Sequence, residues 1–412
     1  MPGANGESMM GGMEEDPEAK GFCRERLARL DSVLQADVDA RKIPGAVVLL
    51  ARDGEIAYWR AFGYRDREAN VSMERDDLFR IASMTKPVTS VAAMMLAERG
   101  KIFLPEPVAK HLPEFAESKV AEPNGDGTPR MVAQARAMTV HDLLRHTAGL
   151  TYGRFGSSAV KRAYNEAGVF DLRITNEEMV RKLAALPLAH QPGRVWDYSM
   201  ATDVLGRLVE VVSGKTLGEF FAEEIFTPLG LRETGFVLDK LLAARMAQPQ
   251  TDVATGQRVP MTDHTLAWPW QSGGAGLYST AGDYLRFCQM LLQRGIGEGQ
   301  RLLAANTVDF MTSDHIPVDV TYDAVTPVLF EAMAPTREMG QSFGLGFAMR
   351  THAGLNPLPG SVGDYYWAGV MGTYFWIDPQ KELIGIFMSQ APELRLHYRY
   401  LMRQLVYQAL VE

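Results

Sequence analysis

A serine and a lysine lie one helical turn apart in the run Ser83-Met84-Thr85-Lys86. Residues three apart share a helix face, so the Lys86 amine can reach the Ser83 hydroxyl. An amine in a partly apolar site loses some of its preference for the charged form and can act as a base. The spacing therefore predicts a nucleophilic serine with a lysine partner. The simpler interpretation is that Ser83 only caps a helix.

The residues that follow Ser83 predict a helix that begins at this serine. Pro87 is tolerated only in the first turn of a helix, and Arg99-Gly100 is typical of a helix end. The free N–H groups and the positive dipole end of such a helix would stabilise an oxyanion formed at Ser83. Apolar side chains recur at the spacing of one buried helical face, at Val88, Val91, Ala92, Met95 and Leu96.

Two other serines match nucleophile patterns, and we interpret both as decoys. Ser158 precedes Lys161 by one helical turn, but we expect this pair on a surface segment with no apolar stripe behind it. Ser342 fits the Gly-x-Ser-x-Gly pattern of α/β-hydrolases, which needs a buried strand before the serine and a helix after it. Residues 335–339 predict no buried strand, and residues 343–349 are strand-like and broken by glycines.

A tyrosine and a set of strands further along the chain could complete a site. Tyr198 follows a Pro-Gly turn and precedes a helical pattern, so its hydroxyl could face a cleft. The alternative is an ordinary half-buried aromatic residue. Segments 365–370, 373–378 and 382–389 predict consecutive antiparallel strands. Gly369 would let a substrate approach the strand backbone closely.

Three motifs, in this order and at these separations, resemble those of class C β-lactamases and penicillin-binding proteins: Ser83-Met84-Thr85-Lys86, Tyr198-Ser199-Met200 and Trp367-Ala368-Gly369. The chain is most similar to the esterase branch called family VIII carboxylesterases. Segments 138–150 and 272–280 resemble the same superfamily, and the likeness covers roughly residues 20 to 410. It implies an α+β, β-lactamase-like fold, with a central antiparallel sheet flanked by helices and a mainly helical domain.

The resemblance implies a role for each motif residue. Ser83 would take the acyl group, and Lys86 and Tyr198 would share the proton transfers. Which of the two removes the Ser83 proton stays open. The backbone N–H groups of Ser83 and Val370 would form the oxyanion hole. The candidate substrate contacts are Trp367, Gly369, Met200 and Tyr152.

Two departures from the β-lactamase motifs bear on the substrate. Trp367 stands where those enzymes carry a lysine or histidine that helps to hold the substrate carboxylate. Met200 stands where they carry an asparagine that contacts the substrate amide and the motif lysine. An apolar side chain would leave polar atoms of an amide substrate unpaired. Both changes favour neutral, apolar esters, although Trp367 could instead be a core aromatic residue.

We therefore expect a serine carboxylesterase that hydrolyses short-chain acyl esters through a Ser83 acyl-enzyme, with weak promiscuous β-lactamase activity. One alternative is an acyltransferase that uses the same acyl-enzyme. Others are a β-lactamase or D-alanyl-D-alanine peptidase and, least favoured, a non-catalytic binding relative. The sequence does not predict the natural ester or the oligomeric state.

Composition is consistent with such an enzyme. The chain has 412 residues, 46% of them hydrophobic, and a net charge of −8, which argues against nucleic acid as a partner. No apolar run is long enough to span a membrane. Cys23 and Cys288 lack redox or metal spacing, which favours free thiols and a cytoplasmic location. His141 and His146 lack the spacing of a two-histidine metal face, and we expect no cofactor or metal.

The chain pattern predicts interleaved domains. Strand patterns near both ends would form one sheet domain from residues 20–82 and 285–412, and residues 83–284 would form the mainly helical domain. The active site would lie in the cleft between them. Residues 1–19 are expected to form a flexible tail. Residues 314–342 would form a long loop that walls the pocket.

Overall fold

The fold was analysed in a computed structural model that describes residues 16–124, 128–252 and 255–411. The flexible tail predicted for residues 1–19 falls mostly on residues 1–15, outside the described ranges. In the part of the chain that the structure describes, no helix has the length and apolar character needed to cross a membrane.

The described chain alternates strand-rich ends with a helix-rich middle. Its α-helices are α1 (Arg24–Asp39), α2 (Thr85–Glu98), α3 (Val140–Leu144), α4 (Ala159–Glu166), α5 (Asn176–Ala184), α6 (Ala201–Ser213), α7 (Leu217–Phe221), α8 (Thr227–Leu229), α9 (Ala281–Leu292), α10 (Ala305–Met311), α11 (Thr326–Phe330) and α12 (Arg395–Tyr407). Its strands are β1 (Gly45–Arg52), β2 (Glu55–Asp66), β3 (Val71–Ser72), β4 (Phe79–Arg80), β5 (Lys119–Pro123), β6 (Pro129–Ala133), β7 (Val195–Trp196), β8 (Tyr278–Ser279), β9 (Ile296–Gly297), β10 (Gln300–Arg301), β11 (Thr321–Tyr322), β12 (Gln341–Phe343), β13 (Ala348–Arg350), β14 (Tyr365–Ala368), β15 (Tyr374–Asp378) and β16 (Leu383–Ser389).

One eight-stranded antiparallel sheet joins the two ends of the chain, in the order β12-β13-β14-β15-β16-β1-β2-β3. At its centre Ala46 pairs with Ser389, and the apolar run of β1 is buried on both faces. The turn between β1 and β2 holds Asp53 and Gly54, both with positive φ. That conformation suits a tight hairpin, as the Asp-Gly pair predicts.

Helices cover the sheet and form the middle of the molecule. Helices α1 and α12 pack together, and α9 packs on β1 and β16. In the middle, α6 packs against α2, α3, α5 and α7. The predicted α+β fold with a central antiparallel sheet is confirmed. The proposed domain boundaries stay a prediction, and α9 begins before the boundary placed at residue 285.

Two short strand pairs position the segments that carry the motifs. Strand β4, just before Ser83, pairs with β8, which follows the 272–277 segment. Strand β7, just before Tyr198, pairs in parallel with β11. Each pair fixes a motif against a segment remote in sequence.

Candidate active site

Ser83 lies in a tight turn at the entrance to α2. A 3-10 turn spans Ala82–Met84, and Ala82 has a φ of 44°, in the left-handed region that is unfavourable for a residue with a side chain. The buried Thr85 hydroxyl holds this turn. It donates to the Ala82 carbonyl at 2.7 Å and accepts the Leu277 N–H at 3.1 Å. The half-buried Ser83 side chain is thus presented by a conformation that its neighbours enforce.

The Lys86 ammonium is buried beside Ser83. Its Nζ lies 3.3 Å from Ser83 Oγ, 3.0 Å from the Tyr152 hydroxyl and 2.7 Å from the Gly274 carbonyl oxygen. The residue preceding α2 is Met84, which makes no side-chain capping bond. The interpretation of Ser83 as only a helix cap is therefore wrong, because its hydroxyl meets the Lys86 amine.

A buried carboxylate balances the charge of Lys86. Asp203, on the first turn of α6, accepts hydrogen bonds from the Ser272 hydroxyl and, at 3.1 Å, from the Gly274 N–H. Burial raises the pKa of Asp203, and the nearby Lys86 cation opposes that rise. Tyr152 lies between the two charges, and burial together with Asp203 raises the pKa of Tyr152 well above its usual value. Its phenol is therefore neutral.

Tyr198 lies over the same lysine. Lys86 Nζ is 4.6 Å from the centre of the Tyr198 ring, and the Trp367 indole N–H donates to the Tyr198 hydroxyl at 3.4 Å. His146 packs behind the ring, with 5.1 Å between ring centres. Burial and the Lys86 charge lower the pKa of His146 well below its usual value, so its imidazole is neutral. The structure therefore brings the Ser83 hydroxyl and the Tyr198 phenol together around the Lys86 amine.

Two backbone N–H groups border the cavity beside Ser83. Strand β14 packs against the Ala82–Met84 turn, which brings Val370 to the cavity wall. Among the described residues, neither the Ser83 N–H nor the Val370 N–H has a hydrogen-bond acceptor. Unpaired N–H groups at a cavity wall are available to a ligand oxygen.

The cavity itself is largely aromatic. It encloses about 330 Å³ and is lined by Ser83, Tyr152, Tyr198, Trp367 and Val370 of the predicted site. Further aromatic side chains lie in its wall, namely Phe155, Phe170, Phe236, Trp268, Trp270, Phe330 and Tyr366. Four arginines also line the cavity, namely Arg80, Arg154, Arg395 and Arg399.

The predicted pocket-wall loop contributes to this cavity but is more ordered than expected. Residues 314–342 contain β11, α11 and further short turns, and they supply Leu329, Phe330 and Met333 to the wall.

Two predicted substrate contacts are placed differently from expectation. Met200 is fully buried and does not line the cavity. Gly369 meets the chain itself, since a Cβ atom there would lie 2.4 Å from the Ile81 carbonyl oxygen and 2.2 Å from Thr373 Oγ1. The glycine is needed for this close approach, whereas we expected it to admit a substrate.

The chain matches the family model described as Beta-lactamase over residues 30–406. It belongs to the beta-lactamase family. Esterase EstB of Burkholderia gladioli is 34% identical over 375 residues, which cover 85% of this chain and 87% of EstB. Lovastatin esterase of Penicillium rubens is 29% identical over 383 residues, which cover 88% of this chain and 92% of that enzyme.

A solved structure agrees with these relatives. EstCE1, described as a hydrolase with promiscuous acyltransferase activity, has a TM-score of 0.76 and 30% identity, and the match covers 93% of this chain and 99% of EstCE1. The resemblance to family VIII esterases, the fold and the class of serine ester hydrolase are confirmed. The roles of individual residues stay predictions.

Sequence reasoning missed Asp203 as a member of this beta-lactamase-family site. Its signal was the glycine run at 273–274, because a Cβ at Gly274 would lie 2.5 Å from the Asp203 carboxylate. The run indicated close packing, but nothing in the sequence named the partner. His146, behind Tyr198, was interpreted only as a structural histidine.

The decoy serines differ from Ser83 in their surroundings. Ser342 lies in β12 with no helix after it, and its hydroxyl donates to Asp314. Ser158 caps α4 and is exposed, as expected of a surface segment, but Lys161 is buried, which was not expected. Helix α4 does carry a buried face.

One cluster has the residue types of a metal site. His190, Asp197 and Asp323 have side-chain ligand atoms within 4.8 Å of one another. However, Lys161 Nζ lies 3.0 Å from Asp323. Burial favours neutral His190, but hydrogen bonds to both carboxylates raise the pKa of His190 to about 9. Two cations already balance the two carboxylates, so the cluster forms an ion-pair network.

Proposed function

We propose that this protein hydrolyses carboxylic esters through an acyl-enzyme formed on Ser83. The observation that supports this most strongly is the contact of 3.3 Å between Lys86 Nζ and Ser83 Oγ, beside two N–H groups that lack acceptors among the described residues. A nucleophile, a proton acceptor and oxyanion donors are the parts that acyl transfer requires.

In the acylation step, Ser83 Oγ attacks the ester carbonyl carbon while its proton passes to the Lys86–Tyr198 pair. The carbonyl oxygen becomes an oxyanion, which accepts hydrogen bonds from the N–H groups of Ser83 and Val370. As the intermediate collapses, the alcohol leaves with a proton from Tyr198. The Trp367 N–H bond to the Tyr198 hydroxyl supports this, because it orients the phenol.

In the deacylation step, water attacks the acyl carbon and gives its proton to the same pair. The acid then leaves, and the proton returns to Ser83 Oγ. Asp203 and Tyr152 keep the Lys86 amine in place through both steps, since removing either would leave a buried polar group without its partner.

The cavity wall supports a neutral, apolar ester as the substrate. Its aromatic side chains favour apolar groups, and Trp367 stands where a β-lactamase carries the cation of its third motif. We propose short acyl chains, with β-lactam hydrolysis as a weak accompanying activity. The net charge of −8 argues against nucleic acid, and the free Cys23 and Cys288 support a reducing compartment such as the cytoplasm.

Acyl transfer to a second alcohol is the alternative function. The likeness to EstCE1, a hydrolase with promiscuous acyltransferase activity, favours this candidate. It needs the same acyl-enzyme and differs only in the acceptor that attacks it.

The decisive experiment is labelling with a fluorophosphonate, followed by peptide mass mapping and turnover of p-nitrophenyl acetate. We expect one adduct on Ser83 and no turnover by Ser83→Ala. Turnover that survives in Ser83→Ala, or an adduct on another serine, would reject the proposal. A second alcohol added to the assay distinguishes transfer from hydrolysis by the ester it yields.

A further inference from the structure

We infer that Arg399 is a positioning residue that fixes and polarises the Gly369–Val370 peptide, and thereby strengthens the Val370 N–H as an oxyanion donor. The inference rests on the acyl-enzyme function proposed above. It adds a residue from α12, near the end of the chain, to a site otherwise built from the three motifs.

The contact is direct. The Gly369 carbonyl oxygen accepts a hydrogen bond of 2.8 Å from the Arg399 guanidinium and one of 3.2 Å from the Gly372 N–H. The N–H of the same peptide plane belongs to Val370. Resonance couples the two ends of a peptide bond, so a cation on the oxygen makes the N–H a stronger donor.

The surroundings of Arg399 are unusual for a buried arginine. It is 5% exposed, its Nε has no partner, and no carboxylate of the described residues lies within ion-pair distance of it. Burial and then the Arg395 charge lower the pKa of Arg399 to about 10, so it is still a cation at neutral pH. Arg403, on the next turn of α12, instead pairs with Asp364 at 2.9 Å.

That contrast points to function. Burying a cation without an anionic partner is costly, and a structural arginine would gain more from a carboxylate, as Arg403 does. The Gly369 carbonyl is the acceptor that the described residues offer to the Arg399 guanidinium. Arg399 also lines the cavity, and we assign its action to this peptide because the Gly369 carbonyl is the group that its guanidinium contacts.

The other side of the peptide is already fixed. The Gly369 N–H donates to the Thr373 carbonyl at 2.9 Å, and Thr373 Oγ1 donates to the Ile81 carbonyl at 3.2 Å. These bonds tie the strand end to the turn that carries Ser83. Rotation of the Gly369–Val370 peptide would break the bonds of the Gly369 carbonyl to Arg399 and to the Gly372 N–H, of which the Arg399 bond is the shorter and the charged one. Arg399 therefore holds the Val370 N–H towards the cavity.

The test compares Arg399→Met and Arg399→Lys with the parent enzyme. A fluorophosphonate titration counts active sites, so that kcat refers to folded enzyme only. We expect Arg399→Met to lower kcat about tenfold to hundredfold, below the full effect of losing an oxyanion donor, with KM for p-nitrophenyl acetate nearly unchanged. The Ki of phenylboronic acid, whose tetrahedral adduct on serine resembles the intermediate, should rise in the same ratio.

Two rescues separate positioning from general structure. Arg399→Lys should recover part of kcat because it keeps the charge. Millimolar guanidinium chloride should raise kcat of Arg399→Met, whereas sodium chloride at equal ionic strength should not.

The inference is overturned if Arg399→Met keeps full kcat, if the boronic acid Ki does not change, or if neither rescue restores activity. Ser83→Ala is measured in parallel. Turnover retained by Ser83→Ala rejects the proposed function, whereas an inactive Ser83→Ala beside a fully active Arg399→Met rejects only the role of Arg399.

Discussion

Two serine–lysine pairs with identical spacing lie at the starts of two helices, and only one pair borders the cavity. Lys86 Nζ turns back to Ser83 Oγ at 3.3 Å. Lys161 donates its backbone N–H to the Ser158 hydroxyl at 3.2 Å, and its ammonium instead meets Asp323 at 3.0 Å. The spacing brings each lysine within reach of its serine. Only the Lys86 ammonium contacts its serine, because the Lys161 ammonium pairs with Asp323 instead.

The two lysines differ in the charges around them. Lys161 has a direct carboxylate partner, since its Nζ lies 3.0 Å from Asp323. Among the described residues, the Lys86 amine makes direct hydrogen bonds only to neutral oxygens, those of Ser83, Tyr152 and Gly274. The carboxylate of Asp203 lies behind Tyr152. The Lys86 amine therefore faces the Ser83 hydroxyl, whereas the Lys161 amine faces Asp323 and not the Ser158 hydroxyl. Lys86 is therefore the lysine placed to exchange a proton with a serine hydroxyl.

Replacing each lysine by methionine should separate chemistry from stability. Lys86→Met should lower kcat for p-nitrophenyl acetate by roughly 10³-fold or more, because the proton acceptor beside Ser83 is lost. Lys161→Met should keep kcat within about threefold but destabilise the fold by on the order of 3 kcal/mol, since Asp323 loses its buried partner. Steady-state kinetics and urea unfolding measure the two effects.

Circular dichroism of both variants provides the control that each is folded. Equal losses of kcat in the two variants would contradict the distinction between the pairs. So would a Lys86→Met enzyme that keeps its turnover.

The two phenols around Lys86 should also differ. Tyr198→Phe should lower kcat by about 10²-fold to 10³-fold, because the hydroxyl bonded to Trp367 moves the proton to the leaving alcohol. Tyr152→Phe should cost about tenfold, since it removes only a link between Lys86 and Asp203. Single-turnover measurements with p-nitrophenyl esters compare the two variants. A larger loss in Tyr152→Phe than in Tyr198→Phe would mean that Tyr152 is the phenol that moves the proton.

Local signals in the sequence predicted most of the fold. The helix after Ser83 and the strands from residue 365 onward each depend on periodicity or turn chemistry within a short window. The single sheet was predicted because strand patterns occur at both ends of the chain. The register of the sheet could not be predicted, because Ala46 pairs with Ser389 only through tertiary packing.

The site was predicted less completely. Motif resemblance named Ser83, Lys86 and Tyr198, which the structure brings together around one amine. It could not name Asp203, which lies on α6 just after the second motif, or Arg399, which lies on α12. Met200 was misplaced because a motif position gives no side-chain direction. Lys161 was misplaced because its burial depends on Asp323, far away in sequence.

The network around Lys161 should make stability depend on alkaline pH. His190 has a folded-state pKa of about 9, above its usual value of 6.5, so protonated His190 stabilises the fold. That stabilisation is complete below pH 6.5 and is lost as pH rises through about 9. Unfolding free energy should fall by on the order of 2 kcal/mol across this window.

His190→Asn is the control for this pH effect, because asparagine cannot titrate. The parent protein should lose its excess stability over His190→Asn as pH rises from 6.5 to about 9. Parallel urea-unfolding curves at each pH measure the difference. If the difference stays constant or grows with pH, the charged imidazole between Asp197 and Asp323 does not exist.

The smallest expected changes in stability concern the two serines. Ser158 caps α4 through its hydroxyl, so Ser158→Ala should destabilise the protein by about 1 kcal/mol, and Ser158→Asp should restore most of that loss because aspartate also caps helices. Ser83 makes no capping bond, so Ser83→Ala should leave the free energy of unfolding nearly unchanged while abolishing turnover. Urea unfolding together with ester kinetics compares the three variants. A stability loss in Ser83→Ala equal to that in Ser158→Ala would mean that both serines serve their helices, and the distinction between a capping serine and a reacting serine would fail.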